Sequence, residues 1–140
     1  MTTIGVGMIV KNEEKDLPRC LESLLSLTPD YLCVIDTGST DRTEMVVRMW
    51  CDKHGIPYTF RTYLEASEHV GGQWRLCDFG KARNEYVDHL DFKVDWLLWM
   101  DADDEFVDAD RKDAFVGEMV HLILDCFRIQ LVPPNFGHRV

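Results

Sequence analysis

The sequence predicts an α/β fold, a three-layer, mostly parallel open sheet with helices on both faces. Three observations carry this prediction. Short apolar runs at residues 4–10, 31–35 and 96–100 read as buried strands, amphipathic helical periods stand between them, and each run stops at a polar cluster. Strands separated by helices pair in parallel through right-handed crossovers, and such sheets gather ligands outside the carboxyl ends of their strands. A length of 140 residues suits one domain spanning residues 1–140, and 46% hydrophobic with 29% charged residues is a globular composition.

The elements follow in order. Residues 4–10, Ile-Gly-Val-Gly-Met-Ile-Val, form a strand that runs into Lys11-Asn12-Glu13-Glu14. Leu17, Cys20, Leu21, Leu24 and Leu25 have the spacing of a helix's buried face, with Asp16 as N-cap and Pro18 in the first turn; Thr28-Pro29-Asp30 ends it. Residues 31–35 make the second strand and lead into Asp36-Thr37-Gly38-Ser39-Thr40-Asp41. Asp41 and Glu44 have capping-box spacing, Val46, Val47, Trp50 and Cys51 supply an apolar face, and Gly55 with Pro57 closes that helix. Residues 58–61 make a short third strand. The stretch 62–78 has no clean period and contains Gly71-Gly72; so long a connection in a compact domain usually serves function or moves. A third helix is expected at about 81–90, a central strand at 96–100, and another strand at 126–132 before Pro133-Pro134.

Charge and cysteine usage exclude several classes. Fifteen Lys and Arg against 25 Asp and Glu give a net charge of -10 and a pI near 4.8. That is the wrong sign for neutralising phosphates, so no nucleic acid partner is expected. The longest apolar run, residues 96–100, is far below the roughly 20 residues of a membrane span, and no signal peptide pattern opens the chain. A cytoplasmic location with no transmembrane segment is the expectation. Cys20, Cys33, Cys51, Cys77 and Cys126 are odd in number, widely spaced and without CxxC. The first three fall at expected core positions, where a thiol acts as a small hydrophobe, and reduced thiols fit the cytoplasm.

Three polar loops converge on one sheet edge. Asp101, Asp103 and Asp104 follow the most hydrophobic strand. In an extended exit, residues two apart project to one side, so Asp101 and Asp103 face the pocket while Ala102 packs behind. Carboxylates held together repel, and a hard divalent cation relieves the repulsion, which makes Mn²⁺ or Mg²⁺ the expected cofactor. The plain alternative is a solvated acidic loop. Asp36 at a strand tip can accept a base N–H or a ribose hydroxyl, and Gly38 admits close backbone approach; otherwise this is a well-capped turn. Arg83 can grip phosphate or base, or simply pair with surface acids. Trp50, Trp96 and Trp99 belong to core faces, whereas Trp74, in the long connection, is placed to cover a sugar or base. His54, His69, His89, His121 and His138 share no ligand spacing.

Together the runs 4–14, 34–41, Lys81-Ala82-Arg83-Asn84 and 96–104 resemble, in order and spacing over about the first 105 residues, the family-two glycosyltransferases, whose fold is the Rossmann-like GT-A. One departure is Thr37, where a second Asp is common. The resemblance implies inverting transfer of a sugar from a nucleotide diphosphate sugar, most often uridine-based, to an acceptor it leaves unnamed, with a divalent metal. It implies that Val10, Asn12 and Glu13 line the base and ribose side, that Asp36 contacts the nucleoside, and that Gly38 and Ala102 belong to the same nucleotide-sugar site. Arg83 would meet the base or diphosphate, Asp101 the ribose or metal, and Asp103 the metal. A chain of charge -10 repels a diphosphate, so a cation between Asp103 and the phosphates fits that reading.

Catalytic domains of that family run considerably longer and carry their base in the second half. The expectation is therefore an N-terminal portion, incomplete at its C-terminus, with the catalytic base beyond Val140. Apolar surface near Ile129, Leu131 and Val132 would then favour self-association. The rival class is a non-catalytic nucleotide-binding module or inactive fragment. Phosphatases with an aspartate nucleophile carry their acids after the first strand, and sugar nucleotidyltransferases want a glycine-rich basic loop there; Lys11-Asn12-Glu13-Glu14 matches neither.

Overall fold

The computed structural model describes residues 3–88, 94–106 and 130–132. In chain order these form β1 (Ile4–Val10), α1 (Leu17–Ser23), β2 (Tyr31–Asp36), α2 (Thr43–His54), β3 (Tyr58–Thr62), β4 (Ser67–Val70), β5 (Gln73–Leu76), α3 (Phe79–Asp88), β6 (Trp96–Trp99) and β7 (Gln130–Val132). The main sheet has the order β3-β2-β1-β6-β7; its first four strands are parallel, and β7 runs antiparallel to β6. β4 and β5 form a separate antiparallel pair.

Alternation along the strands builds a core on each face of the sheet. Ile4, Val6, Met8, Leu32, Val34 and Leu98 pack on one side with Leu17, Cys20 and Leu21 of α1 and Val47, Trp50 and Cys51 of α2. Tyr31, Cys33, Ile35 and Leu97 take the opposite side with Ala82 of α3. Three layers with helices on both faces result, as the sequence predicts. Gly5 lies where a Cβ would sit 3.1 Å from Val94 Cγ2, so the missing side chain lets that residue close over the strand. Among the described residues, no helix is long and apolar enough to cross a membrane.

The local differences from expectation have definite causes. Asp16 makes no side-chain cap, because the chain is already helical there and Leu17 N–H reaches the Glu13 carbonyl at 2.9 Å. The helix tightens into a 3₁₀ turn over Leu24–Leu27 before Thr28 turns left-handed. Asp41 and Glu44 form no capping box: Asp41 instead accepts from the N–H and hydroxyl of Thr43, and Glu44 pairs with Arg48 at 2.6 Å. The third helix starts at Phe79 rather than residue 81, since Asp78 accepts the Lys81 N–H at 2.9 Å. The aperiodic stretch 62–78 contains the β4–β5 hairpin, turned by Gly71 and Gly72 at φ 58° and 80°. Both central residues have positive φ, the pattern of a twist-matched two-residue hairpin turn. β6 ends at Trp99, one residue early. Residues 126–129 of the expected last strand, 89–90 of the expected third helix, the side chains of Ile129, Leu131 and Val132, and Cys126, His89, His121 and His138 lie outside the described residues.

Leu98, on β6, is fully buried in the core on the α1–α2 face of the sheet. Leu98→Ala is expected to lose about 2–5 kcal/mol of stability through lost burial and an unfilled cavity. Denaturant titration should show a lower midpoint with an unchanged slope.

Candidate functional site

Parallel register decides which residues share the carboxyl edge. Val10 stands opposite Asp36, and Asp36 opposite Thr62. On the other side of β1, Gly7 pairs with Trp99, and Met100 N–H donates to the Gly7 carbonyl at 3.1 Å. From β1 the chain passes to β2 on one side, while β6 lies on the other. The crevice between β1 and β6 is thus a topological switch point, where open α/β sheets hold ligands.

The loops after β1 and β2 are braced against each other. Asn12, at φ 53°, accepts the N–H of Thr40 at 2.7 Å and that of Asp41 at 3.3 Å through Oδ1. In return Ser39 Oγ accepts Asn12 N–H at 2.8 Å, and Thr43 Oγ1 accepts Glu13 N–H at 2.8 Å. Burial alone would raise the Asp41 carboxyl, but its bonds from Thr43 and Glu14 hold it below the usual value. Asp36 is 4% exposed; its Oδ2 accepts from Gly38 and Ser39 N–H at 3.3 and 3.1 Å, whereas its buried Oδ1 has no hydrogen-bond partner among the described residues. Gly38 sits at φ 117°, and a Cβ there would lie 3.0 Å from Trp74 Cβ. Val10 and Ala102 are buried in the α1–α2 core, so their backbones rather than their side chains face the edge.

Beyond β6 the acids gather. Asp101, Asp103 and Asp104 each offer a carboxylate oxygen, and these lie within 4.8 Å of one another. Asp101 and Asp103 are exposed, with Ala102 packed behind as the sequence predicts. Alternation alone would send Asp104 to the other side. Instead the chain turns, with Asp104 N–H reaching the Asp101 carbonyl at 3.0 Å, and Asp104 joins the cluster while staying 9% exposed. Glu13 faces the same field: burial first, then Asp103, Asp16, Asp41 and Asp101, push its carboxyl above the ordinary value. Cys20 anchors the turn from below, its thiol donating to the Asp101 carbonyl at 3.5 Å. Burial and then Asp104, Asp103 and Asp101 push that thiol up to about 12, so it stays protonated and able to donate.

The matching cation comes from α3. Arg83 is half-buried, its guanidinium carbon 3.1 Å from the centre of the Trp99 ring and 5.6 Å from that of Phe79. A guanidinium stacked on an aromatic face keeps its charge and its planar donors oriented. Trp99, the last residue of β6, thereby fixes Arg83 two residues before the first acid of the cluster. Trp50 is buried and Trp96 half-buried in the cores, as expected.

Residues 5–120 match the family described as Glycosyl transferase family 2. This chain belongs to that family. A TPR repeat-containing protein of Synechococcus elongatus is 33% identical over 107 residues, covering 76% of this chain and 22% of that protein. The glycosyltransferase SunS of Bacillus phage SPbeta is 26% identical over 138 residues, 97% of this chain and 29% of SunS. The chain therefore spans less than a third of either curated relative. Among solved structures, S. aureus TarS in complex with UDP has a TM-score of 0.59 at 20% identity, over 89% of this chain and 32% of that one. The mannosyltransferase PcManGT of Pyrobaculum calidifontis, in complex with GDP-Man and Mn²⁺, has a TM-score of 0.61 at 21% identity, over 83% and 31%. The shared architecture is the Rossmann-like GT-A sheet of glycosyltransferases.

Within this family 2 chain, the structure brings Asp36, Gly38, Asn12, Glu13, Asp101 and Asp103 to the carboxyl edge, with Arg83 on the Trp99 ring beside β6. Sequence reasoning left Asp104 out of the metal set, because only the turn after Met100 brings it round. It also assigned no bracing role to Asn12, Ser39 and Thr43; the signal available was an Asn before an acidic pair and hydroxyls before a helix.

Asn12→Ala removes the acceptor for the Thr40 and Asp41 amides and strains a left-handed position, for an expected loss of roughly 1–3 kcal/mol. Amide exchange of residues 39–41 should accelerate well beyond that of β1. Iodoacetamide at pH 8 should label Cys77, which is exposed, and spare Cys20, Cys33 and Cys51, as peptide mass mapping would show. Cys20 and Cys51 are both raised by burial to about 12 from an ordinary 9.0. The stability they confer is complete below about 9 and is lost as pH rises toward about 12, which alkaline denaturation should display.

Proposed function

We propose that this chain binds a nucleotide diphosphate sugar, with uridine as the favoured nucleoside, and serves inverting transfer of the sugar to an acceptor hydroxyl. The observation that carries the reading is the buried Asp36 with an unpartnered Oδ1 on the same edge as the three-aspartate cluster. Asp36 Oδ1 accepts a base N–H or a ribose hydroxyl, which removes its deficit. Its other oxygen, tied to Gly38 and Ser39 N–H, holds the carboxylate in place. Arg83, oriented by Trp99, supplies the positive charge that this acidic site needs for a diphosphate.

The oxygen donors of Asp101, Asp103 and Asp104 fit a hard divalent ion, Mn²⁺ or Mg²⁺, by charge, ligand type and spacing. Such an ion, when bound, offsets the phosphate charge and eases departure of the nucleoside diphosphate. Glu13, raised by burial and then by Asp103, adds to the repulsion within the cluster. Asp36 ends β2, and the turn that carries the other aspartates is braced by Cys20 at the Asp101 carbonyl, which keeps both parts of the site in place to receive the donor.

Calorimetry with UDP tests the reading. Affinity should rise on adding Mn²⁺; Asp103→Ala should abolish that rise while circular dichroism is unchanged. Asp36→Ala should weaken UDP by about 1–3 kcal/mol at an unchanged melting temperature. Equal UDP affinity in EDTA and Mn²⁺ removes the metal role. Radiolabelled UDP-sugar that is bound but never cleaved, with any acceptor, makes the chain a binding module instead.

A further inference from the structure

A cavity of about 370 Å³ opens beside Asp36, between the start of α2, β3 and the β4–β5 hairpin, within the size range of small-molecule sites. Asp36 and Gly38 form part of its wall, Phe60 and Trp74 supply aromatic surface, and Asp41 and Glu44 add carboxylates; among the described residues no Lys, Arg or His lines it. A compartment with acids and no cation repels phosphate and suits an uncharged ring that donates N–H. Trp74 is the one indole in that wall among the described residues and comes from the hairpin, an element outside the main sheet.

Trp74 is held as a platform on two sides. Its cross-strand partner His69 lies at a ring distance of 5.1 Å, tilted by 59°. Its Cβ rests where a side chain on residue 38 would sit, so Gly38 makes the room that lets the hairpin close against the β2–α2 loop. Gly38 and Asp36 are the same residues that shape the unpartnered carboxylate. A flat apolar surface beside a buried acceptor lacking its donor is the pair of features that a nucleobase satisfies, one through its face and the other through its edge.

We propose that Trp74 is a nucleobase-binding residue: the hairpin delivers its indole as a stacking platform for the base whose edge Asp36 reads. This rests on the nucleotide-sugar reading above and adds to it a recognition residue supplied by the hairpin. The phosphates then lie away from this compartment, toward Arg83 and the aspartate cluster.

The test is a titration of the full chain in Mn²⁺ with UDP and, separately, with pyrophosphate, followed by calorimetry and intrinsic fluorescence. UDP is expected to quench tryptophan emission. Trp74→Phe should keep UDP affinity within about threefold and lose most of the quench, whereas Trp74→Ala should weaken UDP by about 5- to 150-fold, equivalent to roughly 1–3 kcal/mol per stacked base. Pyrophosphate affinity should not change in either variant. An unchanged UDP affinity in Trp74→Ala, a quench that survives in Trp74→Phe, or an equal loss for UDP and pyrophosphate overturns the platform while leaving the nucleotide reading intact. Should Trp74→Ala fail to fold, the quench in Trp74→Phe decides. Failure of the unaltered chain to bind UDP overturns both.

Discussion

The parallel pairing of β1 with β2 on one side and β6 on the other is the constraint on which the rest of the structure depends. A sheet covered by helices on both faces has no room for charge at its centre, so β1, β2 and β6 are apolar until they leave the core. Polar groups can then gather only at the strand ends. Register brings Val10 beside Asp36 and Gly7 beside Trp99, so three loops of separate origin emerge at one edge. The site is a consequence of how the core is covered.

That edge is electrostatically unfavourable by itself. Asp101, Asp103 and Asp104 stand within 4.8 Å of one another, and Glu13 titrates above its usual value, chiefly through burial and then through Asp103. The surrounding chain stabilises the arrangement without neutralising it. Cys20 holds the Asp101 carbonyl, Ser23 Oγ accepts Phe106 N–H at 2.8 Å, and Asn12 and Thr43 fasten the loops at the start of α2. Such bracing lets like charges persist at short range. Arg83 lies over the Trp99 ring at the end of β6.

The hairpin adds a second layer of meaning to the glycine at position 38. A turn residue with positive φ would by itself be explained by backbone freedom. Here the same absence of a side chain admits Trp74 from an element more than thirty residues away in the chain. Conformation and packing therefore select the same residue for two reasons, and the cavity beside Asp36 exists because both are met.

Much of this was legible in the chain. Apolar runs ending in polar clusters, with helical periods between them, determined the parallel α/β order and the edge on which Asp36, Asp101 and Asp103 meet, because strand burial and alternation are local properties of residue spacing. The four motifs in register were enough for the family. Tertiary structure alone decided the features that depend on contacts distant in sequence. Asp41 bonds Thr43 instead of sharing a box with Glu44, since Glu44 finds Arg48 on the outer face of α2. Asp104 turns back to join the cluster because Cys20 and the Asp101 carbonyl shape the exit from β6. The β4–β5 pair hides from periodicity, being short and mostly exposed, with only Trp74 and Leu76 alternating on β5; its strands register through each other and through the docking of Trp74 on Gly38. Sequence determines what each segment buries, while the partner that completes a polar group or a half-buried ring is settled only when distant segments meet.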